Sequence, residues 1–153
     1  MAGLAALVAA VTSLSGVVIG VQPETRTLFV AQGDGRVFMV LAPRVVPVGA
    51  VVRVRGDLLQ TSNWTVLAAG TDGRLTRTGS AGAALVRGEL GFVDRAKRRF
   101  QLGAHGQVVG WVSYPARLAP ALLRLSRRVP QPASLLFHLR IRSGRLSLAG
   151  VSS

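Results

Sequence analysis

LVRGELGFVDRAKRRFQLGAHGQVVGW, from Leu85 to Trp111, has an earlier counterpart in LSGVVIGVQPETRTLFVAQGDGRVFMV, from Leu14 to Val40, and that pairing organises the chain. At a shift of 71 residues Leu14 meets Leu85, Gly20 meets Gly91, Phe29 meets Phe100, Gly35 meets Gly106 and Val37 meets Val108. Carried on without a gap, the same shift lays AVVRV (Ala50 to Val54) on ALLRL (Ala121 to Leu125), and GRLTRTG (Gly73 to Gly79) on GRLSLAG (Gly144 to Gly150). The run from Leu14 to Gly79 then holds 12 identities in 66 positions, about twice what this composition yields by chance. A duplicated domain follows, with residues 1–79 as one unit, 80–84 as a linker and 85–153 as the second. Each copy alone has a marginal core, so the two are expected to pack on each other or on a partner.

Charge divides close to that boundary, between residues 73 and 74. The net charge is +13, and its bias attracts polyanions. Residues 1–73 carry five arginines against Glu24, Asp34, Asp57 and Asp72, a balance of +1; residues 74–153 carry thirteen arginines and Lys97 against Glu89 and Asp94, a balance of +12. A GC-rich coding bias accounts for arginine in place of lysine, but not for the loss of acids from the second half. The absence of cysteine excludes disulfides, thiolate metal sites and a cysteine nucleophile.

Residues 1–22 contain no charged side chain. They lack the basic start of a signal peptide, the first cation being Arg26, and Thr12, Ser13, Ser15 and Gly16 interrupt any spanning helix. Membrane insertion is therefore not expected, the cytoplasm is the expected compartment, and residues 1–10 read as a short strand or helix over an apolar surface.

Short strands separated by turn residues follow. Leu14 to Val21 reads as a strand able to bend at Gly16 and Gly20. Pro23 marks a turn, Arg26 to Ala31 a second strand, and Asp34-Gly35 a hairpin into a third from Arg36 to Leu41. In VVRVRGD, Val52 and Val54 share one face while Arg53 and Arg55 share the other, the period of a half-buried strand. Trp64 to Ala69 makes a fifth, and Thr71-Asp72-Gly73 turns into Arg74 to Arg77. The second copy repeats the scheme with a basic turn from Asp94 to Arg98. It then departs: Pro120 stands opposite Gly49 and Arg127 opposite Gly56, and ARLAPALLRLSRR (Ala116 to Arg128) reads as a short amphipathic helix, a fourth strand, or both. Pro130 and Pro132 end that segment. Ser134 to Ile141 alternates cleanly, with Phe137, Leu139 and Ile141 against His138, Arg140 and Arg142, and Arg145 to Ala149 is the last strand.

Five or six short strands per copy, a glycine-bent first strand, an Asp-Gly hairpin and a fourth strand set between Gly49 and Gly56 resemble the oligonucleotide-binding OB family over Leu14 to Ala69. The pattern is one of apolar positions and glycines, which a sandwich or another small barrel shares. The resemblance implies an all-β chain of two small OB-like Greek-key barrels in tandem, with a short helix between strands three and four of the second. It also implies nucleic-acid binding.

The chain offers little for catalysis. Its two histidines and six carboxylates show no metal-ligand or acid–base spacing, and no glycine-rich loop ends in Gly-Lys-Ser/Thr. No enzyme activity, cofactor or metal is expected. Single-strand binding, in contrast, needs cations for phosphates and aromatic faces for bases. Arg95, Lys97, Arg98 and Arg99 cluster at one turn, with Trp111 and Tyr114 on the strands beside it; Arg124, Arg127 and Arg128 flank the amphipathic segment. Phe100, which repeats Phe29, reads as core. Trp111 stands opposite Val40, which favours the core with partial exposure of the indole, and Tyr114, just before Pro115, is the better surface candidate. His138, Arg140 and Arg142 on one strand face repel one another unless an anion lies across them. The expected partner is nucleic acid, single-stranded before duplex, held by its backbone with weak base specificity. The alternative is a structural or adaptor subunit that docks through its apolar first copy onto other subunits or a second copy of itself.

Overall fold

A computed structural model of the chain describes residues 11–128 and 134–153. The expectations for residues 1–10 and for Pro130 and Pro132 lie outside the described residues. Strands β1 (Val11–Gln22), β2 (Thr27–Ala31), β3 (Val37–Leu41), β4 (Ala50–Gln60), β5 (Thr65–Ala68) and β6 (Leu75–Ser80) form the first unit. The second contains β7 (Ala83–Asp94), β8 (Arg99–Ala104), β9 (Gln107–Ser113), helix α1 (Ala119–Ser126), β10 (Leu135–Arg142) and β11 (Arg145–Ser152). The chain is all-β, built as two barrel-like domains in tandem, with α1 between the third and fourth strands of the second.

Each barrel closes because one long first strand serves two partners. Val11 to Val17 of β1 pairs with β4, and Val17 to Gln22 pairs with β2. The ring then runs β1-β2-β3-β5-β4 and back to β1, with β3 and β5 parallel and β6 added on β4. In the second barrel Ala83 to Gly88 of β7 pairs with β10 and Glu89 to Asp94 with β8, closing the order β7-β8-β9-β11-β10, with β9 and β11 parallel. The corner of β1 requires glycine, since a Cβ on Gly16 would overlap the carbonyl oxygen of Ala31.

The ungapped 71-residue shift matches strand to strand over three strands and fails beyond them. Leu14, Gly20, Phe29, Gly35 and Val37 belong to the same β-β-β meander as their partners in β7, β8 and β9. AVVRV, however, lies in β4 whereas ALLRL lies in α1, and GRLTRTG is β6 outside the first barrel whereas GRLSLAG is β11 inside the second. The physical reason is the connection after β9. Pro120 sits at the start of α1, Leu122 is buried, and Leu118 and Leu125 pack beside the core three to four residues away, a helical spacing. The fourth strand is thereby displaced downstream to β10, where Phe137, Leu139 and Ile141 point inward and His138, Arg140 and Arg142 outward. The alternation of β4 holds as expected, with Val52 and Val54 buried and Arg53 and Arg55 exposed.

Two hydrophobic clusters form the interior, and the larger crosses between the barrels. Leu14, Val18, Leu28, Val30, Val52 and Val54 fill the first barrel. Ile19, Phe29, Val37 and Trp64 join Phe100, Leu102, Phe137 and Leu139 in one continuous cluster with the second. Every residue of β2 is buried, because its odd and even side chains serve different clusters; this explains its unbroken apolar run. At the seam, the Arg87 backbone N–H donates to the Gly35 carbonyl at 2.7 Å, and the Ile141 N–H to Gly82 at 2.9 Å. Trp64 stands between Phe29, ring centroids 5.5 Å apart, and His105 of the second barrel at 4.6 Å. The expectation that the two copies pack on each other is met. Among the described residues, no helix is long and apolar enough to cross a membrane.

Candidate nucleic-acid interface

The basic turn between β7 and β8 is pinned by its one acid. Asp94 Oδ1 accepts the Lys97 backbone N–H at 3.1 Å, and Arg98, held at a φ of 49°, passes its carbonyl to the Tyr114 N–H at 3.0 Å. These bonds shape the backbone and leave the side chains of Arg95, Lys97 and Arg98 exposed. The other Asp94 oxygen lies 3.8 Å from Arg99 Nε, a long ion pair, and that Nε is buried without a hydrogen-bond partner among the described residues. The Arg99 guanidinium carbon sits 4.0 Å from the centroid of the Trp111 ring, a close cation–π stack.

Trp111 and Tyr114 exchange the places that their sequence positions suggested. Trp111 is 39% exposed, whereas Tyr114 is 5% exposed and packs 6.4 Å from Phe100. A register shift between Leu102 and Gly103 moves the inward position of β9 from Trp111 to Val112, which is fully buried. The same slip exposes Val108, although its partner Val37 is core. Tyr114, after the end of β9, folds under the turn it hydrogen-bonds and belongs to the interior rather than the surface. Phe100 is core, as its match with Phe29 implied.

The remaining candidates divide by place. Arg99 and Trp111 share a groove of about 480 Å³ with Arg145, Ser113 and Gly144. Arg142 stands opposite the groove residue Arg145 across the β10–β11 turn, and Arg140 and His138 follow along β10 away from it. His138 lies between Leu85 and Gly150, and Arg140 between Ala83 and Ser147, so no acid stands across this row. Arg124 and Arg128 instead line a separate hollow with Val151, Ser152 and Ser153, at the other end of β11 from Arg145, and Arg127 is exposed just after α1. The helix arginines and the Trp111 groove are therefore different surfaces.

Two residues of this surface escaped sequence reasoning. Arg145 opens the last strand, and nothing local in the sequence marks it as sharing a groove with Arg99. Phe92 is 65% exposed beside the basic turn. Alternation puts it on the face of buried Leu90, but a bulge between Leu90 and Val93 turns it outward. On the first barrel the arginines are more often paired: Arg36 with Asp34, Arg44 with Asp72, and Arg74 with Asp57. The Arg36 backbone N–H, bonded to Asp34, holds that carboxyl below its usual range. The stabilisation from that exposed pair is present above the ordinary carboxylate pKa and lost as pH falls through the lowered one. Among the described residues no three metal-ligating side chains converge. No protein-family model and no curated protein matches this chain.

Proposed function

We propose that the protein is a non-catalytic nucleic-acid-binding protein that holds a single strand on its second OB-like barrel. The observation that carries this reading is the partly exposed Trp111 with the Arg99 guanidinium stacked at 4.0 Å, in one groove with Arg145. An exposed indole offers a π-face to any base, and the surrounding cations offer phosphate contacts. The Arg99 guanidinium, which lines the same groove, adds a cation for a phosphate. In OB folds the face of strands two and three and the loops flanking it bind oligonucleotides, which here correspond to β8, β9 and the turns at 95–98 and 143–144. The parallel third and fifth strands and the helix before the fourth strand support that kinship.

Titration of labelled single-stranded and duplex oligonucleotides at two salt concentrations tests the reading. With about five phosphate contacts, the log-log salt slope for a single strand is expected near −3.5. Arg140→Glu with Arg142→Glu is expected to lower affinity and flatten the slope, because Arg142 borders the groove. Failure of the unsubstituted chain to bind any strand at low salt would sink the reading.

A second reading has its own support. Val11, Leu41, Val45, Leu58 and Leu59 are exposed on the less charged first barrel, as an adaptor subunit that docks through that barrel would present them. Such docking is compatible with strand binding on the second barrel.

A further inference from the structure

The Trp111 groove is not a property of the basic barrel alone. One side is made by Arg99, Trp111 and Arg145 of the second barrel; the other by Ile19, Gly20, Val21 and Val48 of the first. Its floor is the place where β1 meets β9. Gly20 lies so close to Val109 that a Cβ there would come within 2.5 Å of the Val109 carbonyl oxygen and 2.8 Å of its Cγ1. The wall carrying Val48 is fixed at both sides, since the Gly49 N–H donates to Val18 of β1 at 2.8 Å and the Gly49 carbonyl accepts the Ala81 N–H at 2.8 Å. The cluster joining the barrels makes the groove a preformed cleft rather than a gap between mobile units.

The two walls differ in chemistry. The first-barrel wall presents apolar side chains and glycine backbone without charge; the second-barrel wall presents an indole face and two guanidinium groups. A ligand that satisfies both must expose an uncharged, flat, partly apolar group next to an anion. An unpaired nucleobase with its phosphate has that form, whereas a base inside a duplex is already stacked and turned inward.

Resting on the functional reading above, we infer that the seam between the barrels is a composite single-strand site, in which an unpaired base enters between Trp111 and the Val48 wall while its phosphate lies on Arg145 and the basic turn. The first barrel is thus a direct partner in ligand recognition and confers the preference for single strands over duplex. Val48 is half-buried in a connecting loop, lining the groove and packing on the edge of the shared cluster, so a charge there reaches the groove and the melting of each variant reads its cost to the core.

The test compares Val48→Glu with Val48→Arg in the full chain, using anisotropy of a labelled oligothymidylate and of a labelled hairpin duplex, with thermal melting of each variant. Val48→Glu is expected to weaken oligothymidylate binding about tenfold, and Val48→Arg to strengthen it severalfold, with duplex binding the weaker throughout. The opposite signs separate a groove effect from a folding defect, which would weaken both. If both variants stay within about twofold of the parent while Trp111→Ala weakens binding, the site belongs to the second barrel alone; the composite site is then overturned and the functional reading stands. If the parent binds no strand, both fall together.

Discussion

Alanine at Trp111 is expected to weaken single-strand binding by about five- to 150-fold, the range given by losing one stacked base at about 1–3 kcal/mol. The side chain is half-exposed and touches Arg99 from outside the core, so folding should change little. Trp111→Phe should recover much of the loss, since it restores an aromatic face. The Arg99→Ala variant and the double variant complete a cycle. If Arg99 both holds the indole and contacts the strand, the two losses will not add. The measurement is an anisotropy titration at low salt, with urea denaturation of each variant alongside. A Trp111→Ala affinity within about twofold of the parent would remove the indole from the site.

Phe100→Ala is expected to cost about 3–5 kcal/mol of stability, the usual penalty for emptying a fully buried phenylalanine site. Phe100 stacks on Phe137 with centroids 5.6 Å apart and lies near Tyr114, so the cavity opens at the centre of the second barrel. Because the cluster that holds Phe100 also contains Phe29 and Trp64, the first barrel should lose stability with it. The chain's two tryptophans allow this to be read barrel by barrel. In a Trp111→Phe background, Trp64 fluorescence follows the seam face of the first barrel alone during urea unfolding. A single transition whose midpoint falls with Phe100→Ala is the expected result. An unmoved Trp64 midpoint would mean that the barrels unfold independently, despite their shared core.

Much of this architecture can be read locally. The Val-Arg alternation of β4, the Phe137-Leu139-Ile141 row of β10, the Asp34-Gly35 hairpin and the bend at Gly16 each express a period or a backbone requirement within a few residues. The basic turn at Arg95 to Arg98 is exposed for the same local reason, the Asp94 cap and the tight reversal into β8. Trp111, Tyr114 and Phe92 were harder. A strand's two faces exchange when the register shifts by one residue, and the bulges in β7 and β9 are set by how each strand pairs with β8, which leaves no mark on the residues they reorient. Arg145 joined the site only through the parallel pairing of β11 with β9.

The Leu85 to Trp111 stretch and its earlier counterpart thus determined, as sequence, a repeated three-strand meander and the imbalance of charge between its copies. Tertiary structure decided the rest: where the repeat stops, which aromatic faces outward, and that the basic barrel's groove has an apolar wall from its neighbour. Alternation and turn chemistry are set by neighbouring residues. Barrel closure, register and the seam arise from contacts between residues far apart in the chain, whose energies no single segment carries.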